Sequence, residues 1–382
     1  MDDVENRGGP HLTFVTNDLG YAAKRNYAGL PFEDISFERR YDVFKILKAL
    51  DDRLPGRRIA LQRSLETLYG YPFPSPEHLR NSVAIGPGPW VVTMEETLPF
   101  WSEFAPAWLK RLVWNRIASA SCHAVIAISN HAQDRLRKDL AEADFSERGE
   151  VLKKTFVLYP VQKLLVSSLH EKPEGPPWRF VLVGTQFYRK GGAEAVRVFD
   201  RLLSDGAPIE LHLVTELEQQ PGSRTTPEWH NQSHSIIDRW DQINLHGRLP
   251  HEDVLALMRK SHVGLLPTYR DTFGISVLEA QAAGCPVITT NQCALPEINS
   301  EATGWMIDLP LDKYRNTPFD GKSKPGSLSE RIEEGVHQSV LEIIETPNII
   351  LRKGRSALQR IQRRHNPRKA VVKLLEVYRA MQ

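Results

Sequence analysis

Asp271, Gly274 and Glu279 stand close enough in sequence to act on one ligand, and their types divide the work. The stretch from Thr268 to Ile288 reads as a strand end, a loop, a short helix, a turn and the next strand. Gly274 has no Cβ, so its backbone can lie against a ligand. The helix that follows aims its unpaired N–H groups and positive dipole end at the same point. A phosphate is the natural occupant. Glu279 lies about a turn and a half into the helix, and helical side chains lean back toward the N-terminus. A carboxylate there repels phosphate but accepts hydrogen bonds from hydroxyls. The loop is therefore suited to a ligand carrying both phosphates and vicinal hydroxyls, such as a nucleotide sugar.

A second loop asks for the same ligand. After the apolar run Phe180–Val183 come Gly184, Thr185, Gln186, Phe187, Tyr188, Arg189, Lys190, Gly191 and Gly192, then a helical pattern. A glycine at a strand end, two cations and a glycine pair before a helix form an anion-binding layout. Arg189 offers a planar fork and Lys190 a compact charge, and both suit a pyrophosphate. The order is neither that of a Walker loop nor Gly-x-Gly-x-x-Gly. The plain structural alternative is a glycine-rich βα turn with two solvated cations.

Both loops need a scaffold that brings them to one end. Short apolar runs at Phe180–Val183, Ile209–Val214, Ile243–His246, Val263–Leu266 and Pro286–Thr290 predict strands. Helical spacing at Ala193–Leu203, His251–Lys260 and Gly274–Ala283 separates several of them. This alternation predicts a parallel sheet covered on both faces, with ligands at the carboxyl ends of its strands. Upstream, Leu12–Thr16, Trp90–Thr93 and Ala124–Ile128 predict strands of a second α/β unit. The proline-rich segment Glu171–Pro177 predicts the linker. The expected domains are 1–170, 178–346 and helices over 347–382, broken near Asn366-Pro367, that pack back toward the first. Long loops are expected at Glu216–His234 and Leu311–Leu328.

The chain of 382 residues suits two cores, with 41% hydrophobic and 25% charged residues. A net charge of +2 argues against a nucleic-acid binder. No apolar run approaches the roughly 18 residues that span a bilayer. The acidic N-terminus does not read as a signal peptide. Cys122, Cys285 and Cys293 have neither metal-site nor disulfide-framework spacing, so a reducing cytoplasm is expected. Between Thr346 and Leu375 there are nine Lys or Arg and no acidic residue. A solvated helix face is the expectation there. Peripheral contact with the inner, anionic face of a membrane, or with an acidic acceptor, is the functional alternative.

The C-terminal half resembles the donor-binding domain of the retaining glycosyltransferases of family 4. The family's Glu-x7-Glu motif is matched by Asp271 and Glu279, its Phe-Gly step by Phe273-Gly274, and its Lys-Gly phosphate step by Lys190-Gly191. The run from Glu279 through Gly284 to Pro286-Val287-Ile288 is similar to the family's as well. Leu245–Leu249 resembles the strand-turn before the base site, and Ser129 the interdomain serine. The resemblance covers about residues 178–310 well and 118–162 fairly.

It implies the GT-B fold: two Rossmann-like α/β domains whose parallel sheets face across a cleft, with C-terminal helices returning to the first. Glu279 would hold ribose hydroxyls and Asp271 hydroxyls of the transferred sugar. Backbone N–H groups of Phe273, Gly274 and Ile275 would hold the phosphates. Lys190 would neutralise the leaving diphosphate, and backbone around Arg248 would border the base. Gly184, Thr185 and Arg189 complete the donor site.

Three departures stand out. Thr185 occupies a position where members commonly carry Arg, and Arg189 is the candidate replacement cation. Asp271 is one methylene shorter than the family's Glu. No histidine follows the strand at Trp90–Thr93, where Glu95 or Glu96 takes the corresponding place.

The expected activity is transfer of a hexose from a nucleoside-diphosphate sugar, with retention, to a glycan, lipid-linked or small-molecule acceptor. The nucleotide sugar is a co-substrate, and no other cofactor is expected. The absence of an Asp-x-Asp triplet fits metal independence. Tyr69, Tyr71, Phe73, Trp90, Phe100, Trp101, Phe104, Trp108 and Trp114 offer either an acceptor cleft or ordinary core. Alternatives to the enzyme are a non-catalytic nucleotide-sugar scaffold and a nucleotide-sugar epimerase.

Overall fold

The computed structural model describes residues 11–44, 67–98, 107–143, 145–217, 227–317 and 326–382. They form two units, residues 1–161 with 366–382, and residues 162–365.

The first unit holds β1 (Leu12–Thr16), β2 (Ile35–Arg39), β3 (Leu68–Tyr69), β4 (Glu77–Arg80), β5 (Val83–Ala84), β6 (Trp90–Met94), β7 (Cys122–Ala127) and β8 (Thr155–Val157). Its main sheet runs β2-β1-β4-β6-β7-β8, and its pairings are parallel. β3 and β5 pair separately. All of Trp90–Met94 is buried, as expected of a strand covered on both faces. Helices α1 (Ala107–Ala118), α2 (Asn130–Glu142) and α3 (Arg148–Lys153) flank the sheet's later strands. Ser129 caps α2, its side chain accepting the Ala132 N–H at 3.0 Å. Lys154 Nζ donates to the carbonyls of Ile117, Ala118, Ser119 and Cys122, which satisfies the carboxyl end of α1.

The second unit holds β9 (Trp178–Val183), β10 (Ile209–Val214), β11 (Ile243–Leu245), β12 (Val263–Leu266), β13 (Val287–Thr290) and β14 (Gly304–Ile307). They run β11-β10-β9-β12-β13-β14, all parallel. Counted within the unit this is the Rossmann strand order. Its helices are α4 (Gly192–Ser204), α5 (Pro227–Arg239), α6 (His251–Lys260), α7 (Ile275–Ala282), α8 (Leu295–Ile298), α9 (Gly326–Glu345) and α10 (Asn348–Arg364). In α4, Ala195, Val198, Phe199 and Leu202 recur at helical spacing and are buried against Phe180 and Leu182 of β9.

The last helix, α11 (Pro367–Arg379), belongs to the first unit. Its Tyr378 hydroxyl lies 2.6 Å from His78 Nδ1, and His78 Nε2 lies 2.8 Å from Thr93 Oγ1. Burial lowers the His78 pKa from 6.5 to about 3. The unfolded chain therefore takes up this proton first as pH falls. The stability contribution is complete above pH 6.5 and is lost on acidification, at about 1.4 kcal/mol per pH unit once the unfolded histidine is protonated. A His78→Gln variant should melt lower at pH 7 yet lose less between pH 7 and pH 5 than the wild type. Melting curves across that range check this, and equal losses in both proteins would contradict it.

Four sequence expectations change. The units divide after Val161 rather than in Glu171–Pro177. The reason is local: Leu165 N–H bonds to Ala282 O at 2.9 Å, and Lys172 Nζ caps the end of α6 through Met258 O and Arg259 O. The proline-rich stretch is thereby fastened to the second unit. The tail divides between the units, since α10 belongs with the second unit and the first unit resumes at Asn366. Lys353, expected on a solvated basic face, is buried and donates to Gly304 O at 2.7 Å. The expected loop Glu216–His234 contains the start of α5. Of the loop expected at Leu311–Leu328, residues 318–325 lie outside the described residues.

Candidate functional site

Strand order in the second unit reverses between β9 and β12, so the loops that leave their carboxyl ends diverge and open a crevice. Gly184–Gly191 leaves β9 and Pro267–Gly274 leaves β12. The two loops touch backbone to backbone. Tyr269 N–H donates to Arg189 O at 2.9 Å, and Thr268 Oγ1 donates to the same oxygen at 2.9 Å. Gly191 makes this possible. Its φ is +76°, and a Cβ there would meet the Pro267 carbonyl oxygen at 2.1 Å.

The contact carries charge. Lys190 Nζ and the Asp271 carboxylate form an ion pair with both side chains largely buried. The Lys190 stem lies over Gly184, 3.0 Å from where a Cβ would stand. The other Asp271 oxygen, Oδ1, accepts the N–H of Gly274 at 3.1 Å and of Phe273 at 3.3 Å. These are two of the amides expected to hold phosphate. Gly274 adopts φ +88° as the N-cap of α7, and Ile275 opens the helix. A carboxylate thus sits on the donors that suit an anion.

Arg189 is half-buried beside this pair, with its Nε buried and lacking a hydrogen-bond partner among the described residues. Burial pulls its guanidinium below the ordinary pKa, and the Asp271 charge opposes that shift. It is positioned to act as the second cation. Thr185 is exposed at the same strand end.

Glu279 lies one helical segment further on, 3% exposed. Its Oε1 is 2.7 Å from Nε2 of His251, the first residue of α6. Arg248 is exposed on the loop three residues before His251.

The structure therefore joins Lys190, Asp271, Phe273 and Gly274 by direct contact. Glu279 follows on the same helix. Glu95 and Glu96 stand in the first unit instead. Glu95 is held by Arg80, whose Nη2 and Nε donate to Oε1 at 2.7 and 3.1 Å, while Arg80 Nη1 pairs with Asp18 at 2.9 Å. Its backbone N–H donates to Asn81 Oδ1 at 2.9 Å. Glu96 is half-buried.

Of the aromatic set, Tyr69, Trp90 and Trp114 are core, while Phe73 and Trp108 are exposed. Phe100, Trp101 and Phe104 lie outside the described residues. Cys285 Sγ lies 3.2 Å from Met258 O, Ser261 O and Lys172 Nζ, so it helps close the end of α6.

Sequence reasoning missed two supports. Glu194, fully buried, accepts from Tyr269 Oη at 2.8 Å, Ser329 Oγ at 2.8 Å and Arg197 Nη2 at 3.0 Å. It anchors the residue that begins the Asp271 loop. His251 is the other, and only its place at a helix start could have singled it out. Among the described residues no group of three or more His, Cys, Asp or Glu is placed to hold a metal ion.

The two parallel-sheet Rossmann-like units define the GT-B glycosyltransferase fold. Residues 167–313 match the family model described as glycosyl transferases group 1. The glycogen synthase of Mycobacterium tuberculosis is 26% identical over 195 residues, which are 50% of this chain and 39% of that protein. The putative colanic acid biosynthesis glycosyltransferase WcaL of Salmonella typhimurium is 22% identical over 214 residues, 48% of this chain and 51% of that one. The chain spans about half or less of the length of these relatives. Among solved structures, Anabaena Alr3699/HepE in complex with UDP and glucose aligns over 97% of this chain and 100% of that chain, with a TM-score of 0.57 at 13% identity. Sucrose-phosphate synthase from Thermosynechococcus elongatus aligns over 92% of this chain and 82% of that chain, with a TM-score of 0.55 at 16% identity. The structural likeness carries the fold. The family match and the curated relatives support a group 1 glycosyltransferase.

Proposed function

We propose that this protein is a retaining, family 4-type glycosyltransferase. It moves a hexose from a nucleoside-diphosphate sugar to a glycan, lipid-linked or small-molecule acceptor. The observation that carries the proposal is the Lys190–Asp271 pair seated on the Gly274 amide at the sheet's switch point, with the buried Glu279 carboxylate behind it. The same end of one sheet thus offers cations and amides for a diphosphate and a carboxylate for hydroxyls. That HepE was solved with UDP and glucose is in keeping with such a donor.

The chemistry follows from where charge develops. As the glycosidic bond to the diphosphate breaks, the anomeric carbon becomes positive and the leaving oxygens gain negative charge. Lys190, Arg189 and the amides of Gly274 and Ile275 stabilise those oxygens without reorganising, which is the largest lever such a site has. On donor binding the diphosphate replaces the Asp271 carboxylate on these groups. Asp271, released, turns to hydroxyls of the transferred sugar. With retention, the departing phosphate oxygen takes the acceptor's proton, so no separate base is required. In this account cations and a helix end do the work that a metal performs elsewhere. Glu95, held by Arg80, and Glu96 are the first unit's candidate catalytic carboxylates in this proposal.

No observation favours the scaffold or the epimerase. A thermal-shift panel of UDP-, GDP- and ADP-sugars tests the proposal, because a ligand bound only by the native state raises the melting temperature. One nucleotide series should stabilise the protein and be slowly hydrolysed or transferred. Stabilisation without turnover would point to a scaffold, and isomerised sugar to an epimerase.

A further inference from the structure

The Glu279 carboxylate has a partner that no part of the account so far uses. His251 Nε2 lies 2.7 Å from Glu279 Oε1, and a carboxylate only accepts, so Nε2 carries the proton of that bond. The exposures are opposite: the Glu279 side chain is 4% accessible and the His251 side chain 44%. His251 is fixed from the other side by its place in the fold. It is the first residue of α6, entered through Pro250 as N-cap, and α6 packs on α7, which bears Glu279.

A carboxylate that binds a diol must present one edge at a set angle, and rotation about its last bond would forfeit that geometry. A charge-assisted bond from a helix-anchored donor removes the rotation before the ligand arrives.

We propose that His251 is a positioning residue for nucleotide selectivity: by holding the Glu279 carboxylate in one plane, it sets the protein's preference for a ribose with both hydroxyls. The inference rests on the nucleotide-sugar reading of the site and deepens it. His251 need not touch the nucleotide. Its effect passes through Glu279 and therefore falls on the ribose hydroxyls alone.

The test is calorimetric titration of UDP and 2′,3′-dideoxy-UDP, with the matching GDP and ADP pairs, into wild type, His251→Ala, His251→Gln and Glu279→Gln. Loss of one hydrogen bond to a charged group should weaken ribonucleotide binding by about tenfold. Binding of the dideoxy analogue should stay unchanged. His251→Gln, which keeps an N–H donor, should recover part of the loss. His251→Ala should add nothing in a Glu279→Gln background. Equal weakening of both nucleotides, or of neither, overturns the inference while leaving the nucleotide-sugar reading intact. Failure of the wild type to bind any of the nucleotides overturns that reading and this inference together. If His251→Ala does not fold, His251→Leu, which keeps bulk against α7, takes its place in the comparison.

Discussion

Lys190→Ala should lower turnover by roughly 10²–10³-fold, the usual cost of removing one preorganised donor from a site of developing negative charge. The protein should still fold but melt lower, because the largely buried Asp271 carboxylate loses its counter-charge. Asp271 keeps the Gly274 and Phe273 amides as partners, which limits the loss. Affinity for the intact donor should fall far less than turnover, because the charge on the leaving group grows on the way to the transition state. Lys190→Arg should restore part of the rate. Steady-state kinetics beside thermal melts check this. Near-full turnover in Lys190→Ala would remove the electrostatic core of the mechanism.

Asp271→Asn should divide two properties that usually fall together. The Asp271 carboxylate occupies Lys190 and the helix amides, so an incoming diphosphate must displace it. Removing its charge should tighten nucleoside-diphosphate binding by about three- to tenfold, the scale of one helix-end charge interaction. Transfer should fall on the order of 10²-fold, as the sugar loses a charged partner in the transition state. Titration of the free diphosphate and of the nucleotide sugar, beside initial rates, separates the two. An unchanged diphosphate affinity would mean that Asp271 does not compete for the phosphate donors.

The Asp271 loop and the second unit's sheet were legible because their pattern is local. Asp271, Phe273, Gly274 and Glu279 lie within one loop and helix, and β9, β10, β12 and β13 are apolar runs bounded by turns. What escaped was what the fold brings from afar. His251 meets Glu279 across 28 positions, and Glu194 meets Tyr269 across 75, so no spacing rule could pair them. α5 was missed because Glu228, His230, Asn231, Gln232 and His234 make its start read as loop, whereas Ser233, Ile236 and Ile237 form its buried side.

In the first unit, β4 defeats hydropathy. Glu77 and His78 are polar in type yet fully buried, and burial raises the Glu77 carboxyl to about 8 despite the opposing charge of Arg116. Strands as short as β3 and β5 carry too few residues for a pattern. The linker was misplaced because prolines mark irregular backbone, not the point where few contacts cross. Tethering of Leu165 and Lys172 to the second unit decided that point.

The most direct test is a crystal structure with the nucleoside diphosphate that stabilises the protein most. The account predicts phosphate oxygens on the Gly274 and Ile275 amides and on Lys190, ribose hydroxyls on Glu279, and the Asp271 side chain turned away from the helix end. A nucleotide bound elsewhere in the chain, with the Lys190–Asp271 pair intact, would contradict it.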